Sequence, residues 1–444
     1  MERAIQSQLV AWKNRSSKLP LIIRGARQVG KTYMMKWLGE NHFPKWVYFN
    51  FDERPEIKQF FENNKDVNRI LGSLSLISGV QIDENTLIVF DEIQECPDAL
   101  NALKYFAESE KQIPIICAGS LLGILLHPGY SFPVGKVEFI SMYPMTVREV
   151  LPYWDKQAAD FLEQLNGIEE IPVYFFDPLK DYFKKYLITG GLPAVVNELN
   201  QTQSFERCDS VLENLLLSYR GDFAKYPLMK DTAKIGLVFN SLPAQLAREN
   251  KKFVYQLIRS GARAKEYEDA IQWLLNCGLV YQIKLCTKPG IPLSAYDDFN
   301  AFKLYCMDVG LLRRMSRLSS MAYTEGNRLF TEFKGAIIEN YILQSIIPQF
   351  EDAPRYWTSG NEAEVDFIVQ SGNEIIPIEV KSEDNIKSRS LTLFHQKFQP
   401  RLRIRYSLKN LQYRDGILSI PLFLSDYTNE LIQRVKEVAP LSHQ

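Results

Sequence analysis

Gly25-Ala26-Arg27-Gln28-Val29-Gly30-Lys31-Thr32 is a complete G-x-x-x-x-G-K-T phosphate loop. Its glycines let backbone N–H groups close around phosphate oxygens, and a helix starting beside it adds the positive end of its dipole. In this pattern Lys31 reaches the β- and γ-phosphates of ATP and the Thr32 hydroxyl holds Mg2+. A second set follows the apolar run 86–90, where Asp91 and Glu92 stand side by side. Asp91 is expected to bind Mg2+, directly or through water, and Glu92 to polarise the attacking water. Ser120, just past the apolar run 113–118, is the candidate for sensing the γ-phosphate; a helix N-cap is its alternative role. A third set lies near the other end of the chain: Asp366, then Glu379 and Lys381, with Glu339 upstream. Two carboxylates and a lysine suit Mg2+-assisted phosphodiester cleavage, the acids holding the ion and the ammonium stabilising the pentavalent phosphate. Asp366, Glu379 and Glu339 are the expected metal ligands there.

Each set needs particular elements behind it. The run 21–23 reads as a buried strand entering the phosphate loop and 32–40 as the helix leaving it. With strands at 46–50, 86–92 and 113–118, residues 1–150 read as a parallel sheet covered on both faces, with its ligand at the carboxyl ends of the strands. Residues 151–228, rich in aromatics and helix formers, read as a helical lid or linker that Gly190-Gly191-Leu192-Pro193 breaks sharply. Across 229–318 a short helix at 253–258, a helix at 265–277 and strands at 278–283 and 302–306 make a winged-helix pattern. Such modules bind DNA through the second helix or pack against proteins. In 319–444 a helix carries Glu339 at 335–342, a strand at 364–369 carries Asp366, Gly372-Asn373 turns the chain, and a strand at 376–381 carries Glu379 and Lys381 on one face. The E-x-K triplet alone carries little weight, recurring at Glu56-Ile57-Lys58 and Glu249-Asn250-Lys251. The order of elements and the apolar Ile376, Ile378 and Val380 around the charges argue against a merely solvent-facing hairpin.

Net charge is −1 over 444 residues, so any nucleic-acid site is a local patch. The basic tract Lys387, Arg389, Lys397, Arg401, Arg403 and Arg405 is one candidate to follow a phosphate backbone. Residues 1–6 begin a polar amphipathic helix rather than a signal peptide, and the longest apolar stretch, 113–126, is broken by Pro114 and Ser120. Six scattered cysteines and four histidines give no zinc spacing and fit reduced thiols in a cytoplasm.

Taken together, the phosphate loop, Phe90-Asp91-Glu92-Ile93-Gln94, Ala118-Gly119-Ser120, Tyr143-Pro144-Met145-Thr146, Gly190-Gly191-Leu192-Pro193 and Asp366 with Glu379-Val380-Lys381 resemble a prokaryotic family. It is the family of AAA-type ATPases (AAA_14) with a C-terminal domain of unknown function, DUF4143. The resemblance implies an ATPase module, a winged helix and a PD-(D/E)xK nuclease-like α/β domain. Many relatives carry an arginine where this chain has Lys136 after Gly135, and a lysine cannot make the same planar bidentate contact. Arg148 is no more diagnostic, so no arginine finger is named in this chain, and an ATPase without an evident internal finger suggests a partner subunit, with a homo-oligomer as one form. The leading expectation is an ATP-driven device acting on DNA with a nuclease-like effector; the alternative is a regulatory ATPase whose later domains only make protein contacts.

Overall fold

Residues 86–91 are buried from end to end, so the strand they form needs cover on both faces. A computed structural model, which describes residues 1–62, 64–119, 133–224, 232–320, 331–360, 362–382 and 389–438, supplies that cover. The chain forms two units, residues 1–143 with 272–279, and residues 144–271 with 280–444.

In the first unit β1 (Leu21–Arg24), β2 (Lys45–Asn50), β3 (Thr86–Asp91), β4 (Ile115–Ala118) and β5 (Glu138–Ser141) form a parallel sheet in the order β2-β3-β4-β1-β5. Its helices are α1 (Ile5–Lys13), α2 (Lys31–His42), α3 (Val67–Ser78) and α4 (Pro97–Glu108). Alternation along β3 sends Ile88 and Phe90 into a core shared with Leu74 of α3 and Leu103 and Phe106 of α4. Phe51, Phe61 and Phe90 meet there with ring centroids 5.5, 5.7 and 5.8 Å apart, in tilted and edge-on pairs. The same alternation turns Asp91 to the other face, where α2 packs on β3 and carries Thr32. This is how two motifs 59 residues apart reach one site.

The second unit begins with α5 (Val147–Trp154), α6 (Lys156–Glu163), α7 (Val173–Thr189), α8 (Pro193–Thr202), α9 (Phe205–Ala224) and α10 (Thr232–Leu246). Helix α11 (Glu268–Asn276) runs from the second unit into the 272–279 segment of the first. An eight-stranded sheet then takes β6 (Val280–Cys286), β7 (Asp297–Cys306), β8 (Arg355–Thr358), β9 (Glu364–Ser371), β10 (Glu374–Val380), β11 (Arg403–Ser407), β12 (Gln412–Arg414) and β13 (Ile417–Pro421). Their order is β12-β13-β11-β10-β9-β8-β6-β7. The remaining helices are α12 (Val309–Met315), α13 (Thr331–Ile346), α14 (Arg389–Phe398) and α15 (Thr428–Val438). From α13 onward the chain runs through β8, β9 and β10 as an antiparallel meander, then crosses by α14 to β11, parallel to β10. No helix among the described residues is long and apolar enough to cross a membrane.

The break at 190–193 has a steric cause. Gly190 has φ +69°, and a Cβ there would lie 2.1 Å from Asp308 Oδ1; a Cβ on Gly191 would lie 1.9 Å from the Met145 carbonyl oxygen. Asp308 caps α12 and accepts the Gly191 N–H at 2.7 Å and the Leu311 N–H at 3.0 Å, so the glycines let backbone close on a buried carboxyl.

Two local expectations change. The helix expected at 253–258 is a single 3₁₀ turn, Tyr255–Leu257, because the β-favouring Phe253-Val254 stays extended and donates the Phe253 N–H to the Phe302 carbonyl at 2.8 Å. The hairpin β6–β7, read from sequence as a wing, is the edge of the eight-stranded sheet through the pairing of β6 with β8.

Candidate ATPase site and carboxylate cluster

The phosphate loop is built around backbone conformations that few residues adopt. Gly25 has φ +147° with Met142 O 2.1 Å from where a Cβ would sit, Gln28 has φ +69°, and Gly30 at φ +101° caps α2. Arg3 braces the loop from outside it, donating Nη1 to Val29 O at 2.9 Å and Nη2 to Tyr143 O at 2.7 Å. Lys31 is 8% exposed and donates Nζ to Gly25 O at 2.9 Å and Ala26 O at 2.7 Å. Burial lowers its pKa to about 8.

Thr32 Oγ1 donates to Asp91 Oδ2 at 2.6 Å, and Tyr48 donates its hydroxyl to the same oxygen at 2.9 Å. The Glu92 N–H reaches Asp91 Oδ1 at 3.0 Å. Glu92 lies just past β3 with φ +48°, and its Oε2 accepts from Gln94 Nε2 at 2.6 Å. A hydroxyl and a carboxylate touching at the mouth of a phosphate loop are a donor set that fits Mg2+. Ser120 lies outside the described residues. Lys136 is paired with Glu108 at 3.0 Å. In the second unit Arg148 donates to Glu163 and Glu430 and stacks over Tyr427 at 4.3 Å.

Of the C-terminal residues, Glu339 and Asp366 share one charged cluster, with company that sequence reasoning did not foresee. Asp366 on β9 accepts the Val380 N–H of β10 at 2.8 Å. Glu379 follows Ile378, the partner of Phe367, and is held by Lys381 at 2.7 Å, with Arg405 its partner in register on β11. Glu339 on α13 accepts from Lys251 at 2.5 Å and from the Tyr305 hydroxyl. Lys303, fully buried on β7, bonds Glu364 and lies 3.7 Å from Glu339. Burial opposes the charge on both Lys303 and Glu339, yet their mutual attraction, with Lys251, Glu364 and Asp366 nearby, holds Lys303 above and Glu339 below their ordinary pKa values. Burial, then the charge of Glu339, pushes Asp366 up, and burial pushes Glu379 up. Among the described residues no group of three His, Cys, Asp or Glu side chains is arranged to hold a metal ion. At the residues expected to hold a metal, cationic side chains pair with two of the acids: Lys251 and Lys303 stand at Glu339, and Lys381 at Glu379.

Residues 17–151 match a family model described as an AAA domain, and residues 334–424 match one described as a domain of unknown function, DUF4143. The chain is an AAA-domain protein with a C-terminal DUF4143 domain. Between them, residues 180–322 match a second domain of unknown function, DUF8612. No curated protein matches the chain. Among solved structures, the Walker-type ATPase PABY2304 of Pyrococcus abyssi aligns at 15% identity and a TM-score of 0.45, covering 71% of this chain and 95% of that one.

Within the first unit the motifs named the polar centre of the ATPase site but not its supports. Arg3, Tyr48 and Gln94 act through hydrogen bonds that no local pattern announces. Gly278 is a further one: at φ +69° it lies against the phosphate loop, where a Cβ would stand 3.2 Å from Ala26 N. In the C-terminal cluster Lys251, Lys303 and Glu364 were equally silent. The one available signal was Lys303 inside the apolar strand 301–306, a charge that must be paired if buried.

Proposed function

We propose that the chain is a Mg2+-dependent ATPase whose nucleotide state switches an attached effector. The observation that carries the proposal is the contact of Thr32 with Asp91 at 2.6 Å beside the Lys31 ammonium. Thr32 and Asp91 would hold Mg2+, which supplies charge neutralisation to the β- and γ-phosphates. Residues 25–32 wrap the phosphates with backbone N–H groups, and Lys31 exchanges the carbonyls of Gly25 and Ala26 for phosphate oxygens. Glu92 accepts a proton from the attacking water, oriented for that by Gln94. Ser120 remains the proposed γ-phosphate sensor. With Lys136 and Arg148 held by other side chains, a second copy of the chain is the proposed source of an arginine finger.

For the effector, the path α13–β8–β9–β10–α14–β11 supports a PD-(D/E)xK nuclease-like reading. DNA is the proposed partner, met by Lys381 just past β10 and by Arg403 and Arg405 on the neighbouring β11. The cytoplasm is the proposed compartment, since all six cysteines are buried thiols that oxidation would not serve.

The test is a pair of variants. Lys31→Ala should lose ATP affinity. Glu92→Gln should still bind ATP and hydrolyse it at least about 100-fold more slowly; unchanged turnover in that variant removes Glu92 from the mechanism.

A further inference from the structure

The DUF4143 part keeps three carboxylates around Lys303: Glu339 on α13, and Glu364 and Asp366 on β9. In a metal-dependent nuclease such a cluster stays open because a divalent ion supplies the positive charge. Here the charge is already supplied from within the chain. Glu339 offers two oxygens: one takes the Lys251 ammonium at 2.5 Å, the other takes the Tyr305 hydroxyl and has Lys303 at 3.7 Å. Lys303 also bonds Glu364, and Lys381 closes Glu379 at 2.7 Å.

We propose that the ammonium groups of Lys303 and Lys251 take the place of the divalent cation, making this a metal-independent centre that ties β7, α13 and β9 together without cutting nucleic acid. Lys303 has no exposed surface, so it cannot swing into water to admit an ion. A buried ammonium is tolerated only while carboxylates surround it, and a divalent cation on those same carboxylates would repel it. The effector then acts as a binding module rather than a scissor. The cutting-or-binding distinction rests on the nuclease-like reading above, whereas the cation count tested below does not.

The experiment counts bound Mn2+ by electron paramagnetic resonance in full-length protein without nucleotide, with Asp91→Asn throughout to silence the ATPase site. Adding Glu339→Gln should change nothing, because the centre holds no ion to lose. Adding Lys303→Met instead should create one Mn2+ equivalent and a Mn2+-dependent rise in melting temperature, both abolished when Glu339→Gln is added as well. An equivalent of Mn2+ in the Asp91→Asn protein that Glu339→Gln removes would overturn the proposal. So would a folded Lys303→Met variant that gains no ion. If Lys303→Met does not fold even with Mn2+ present, the first comparison still decides. ATP turnover does not enter the readout, so failure here and failure of the ATPase reading are separate results.

Discussion

Asp308 gives the sharpest quantitative expectation. Its carboxyl caps α12 and receives the N–H groups of Gly191 and Leu311 in a pocket without water access. Burial raises its pKa to about 6 although those hydrogen bonds pull the other way. In the unfolded chain the same group titrates near 3.9. A folded pKa above the unfolded one means that the folded state holds its proton more tightly. The stabilisation is therefore fully present below about pH 3.9 and is lost as pH rises through about 6. A difference of about 2 pKa units is worth about 3 kcal/mol. Asp308→Asn removes the titration and keeps the shape, although the amide NH2 would face one N–H and lose an acceptor worth about 1–3 kcal/mol. Urea unfolding of wild type and Asp308→Asn should be followed from pH 4 to about 7.5. The stability of wild type relative to the variant should fall by about 2.4 kcal/mol across that range, a midpoint shift of about 0.8 M for an m-value near 3 kcal/mol/M. The subtraction removes carboxylates common to both proteins. A difference that stays constant, or that grows with pH, would refute the argument that burial outweighs the hydrogen bonds.

Two further outcomes concern the first unit. Gln94→Ala frees Glu92 from its 2.6 Å hydrogen bond, so kcat should drop about tenfold with KM for ATP little changed, as expected of a group that acts only on the chemical step. Equal losses in affinity and turnover would show that Gln94 serves binding instead. Gly278→Ala places a methyl 3.2 Å from Ala26 N in a left-handed backbone that costs about 1 kcal/mol, so ATP affinity measured with a fluorescent analogue should weaken. Unaltered affinity in the folded variant would mean that the phosphate loop does not depend on this neighbour.

The AAA domain was legible because its chemistry is local. A phosphate loop must be contiguous for successive N–H groups to face one anion, and Asp91 with Glu92 must end an apolar strand to stand at the carboxyl end of the sheet. Period-two alternation even fixes the face on which Asp91 meets Thr32. Glycines at 190 and 191 were legible as a break, but their cause, a carboxyl 117 residues away from Gly191, was not. At the C-terminal cluster the sequence determined the acids and the strands that carry them. It could not determine the balance of charge, because Lys251, Lys303 and Glu339 come from separate stretches of chain and meet only when β7, α13 and β9 pack. Coulomb energy depends on distance through space, and distance through space is what the tertiary structure decides.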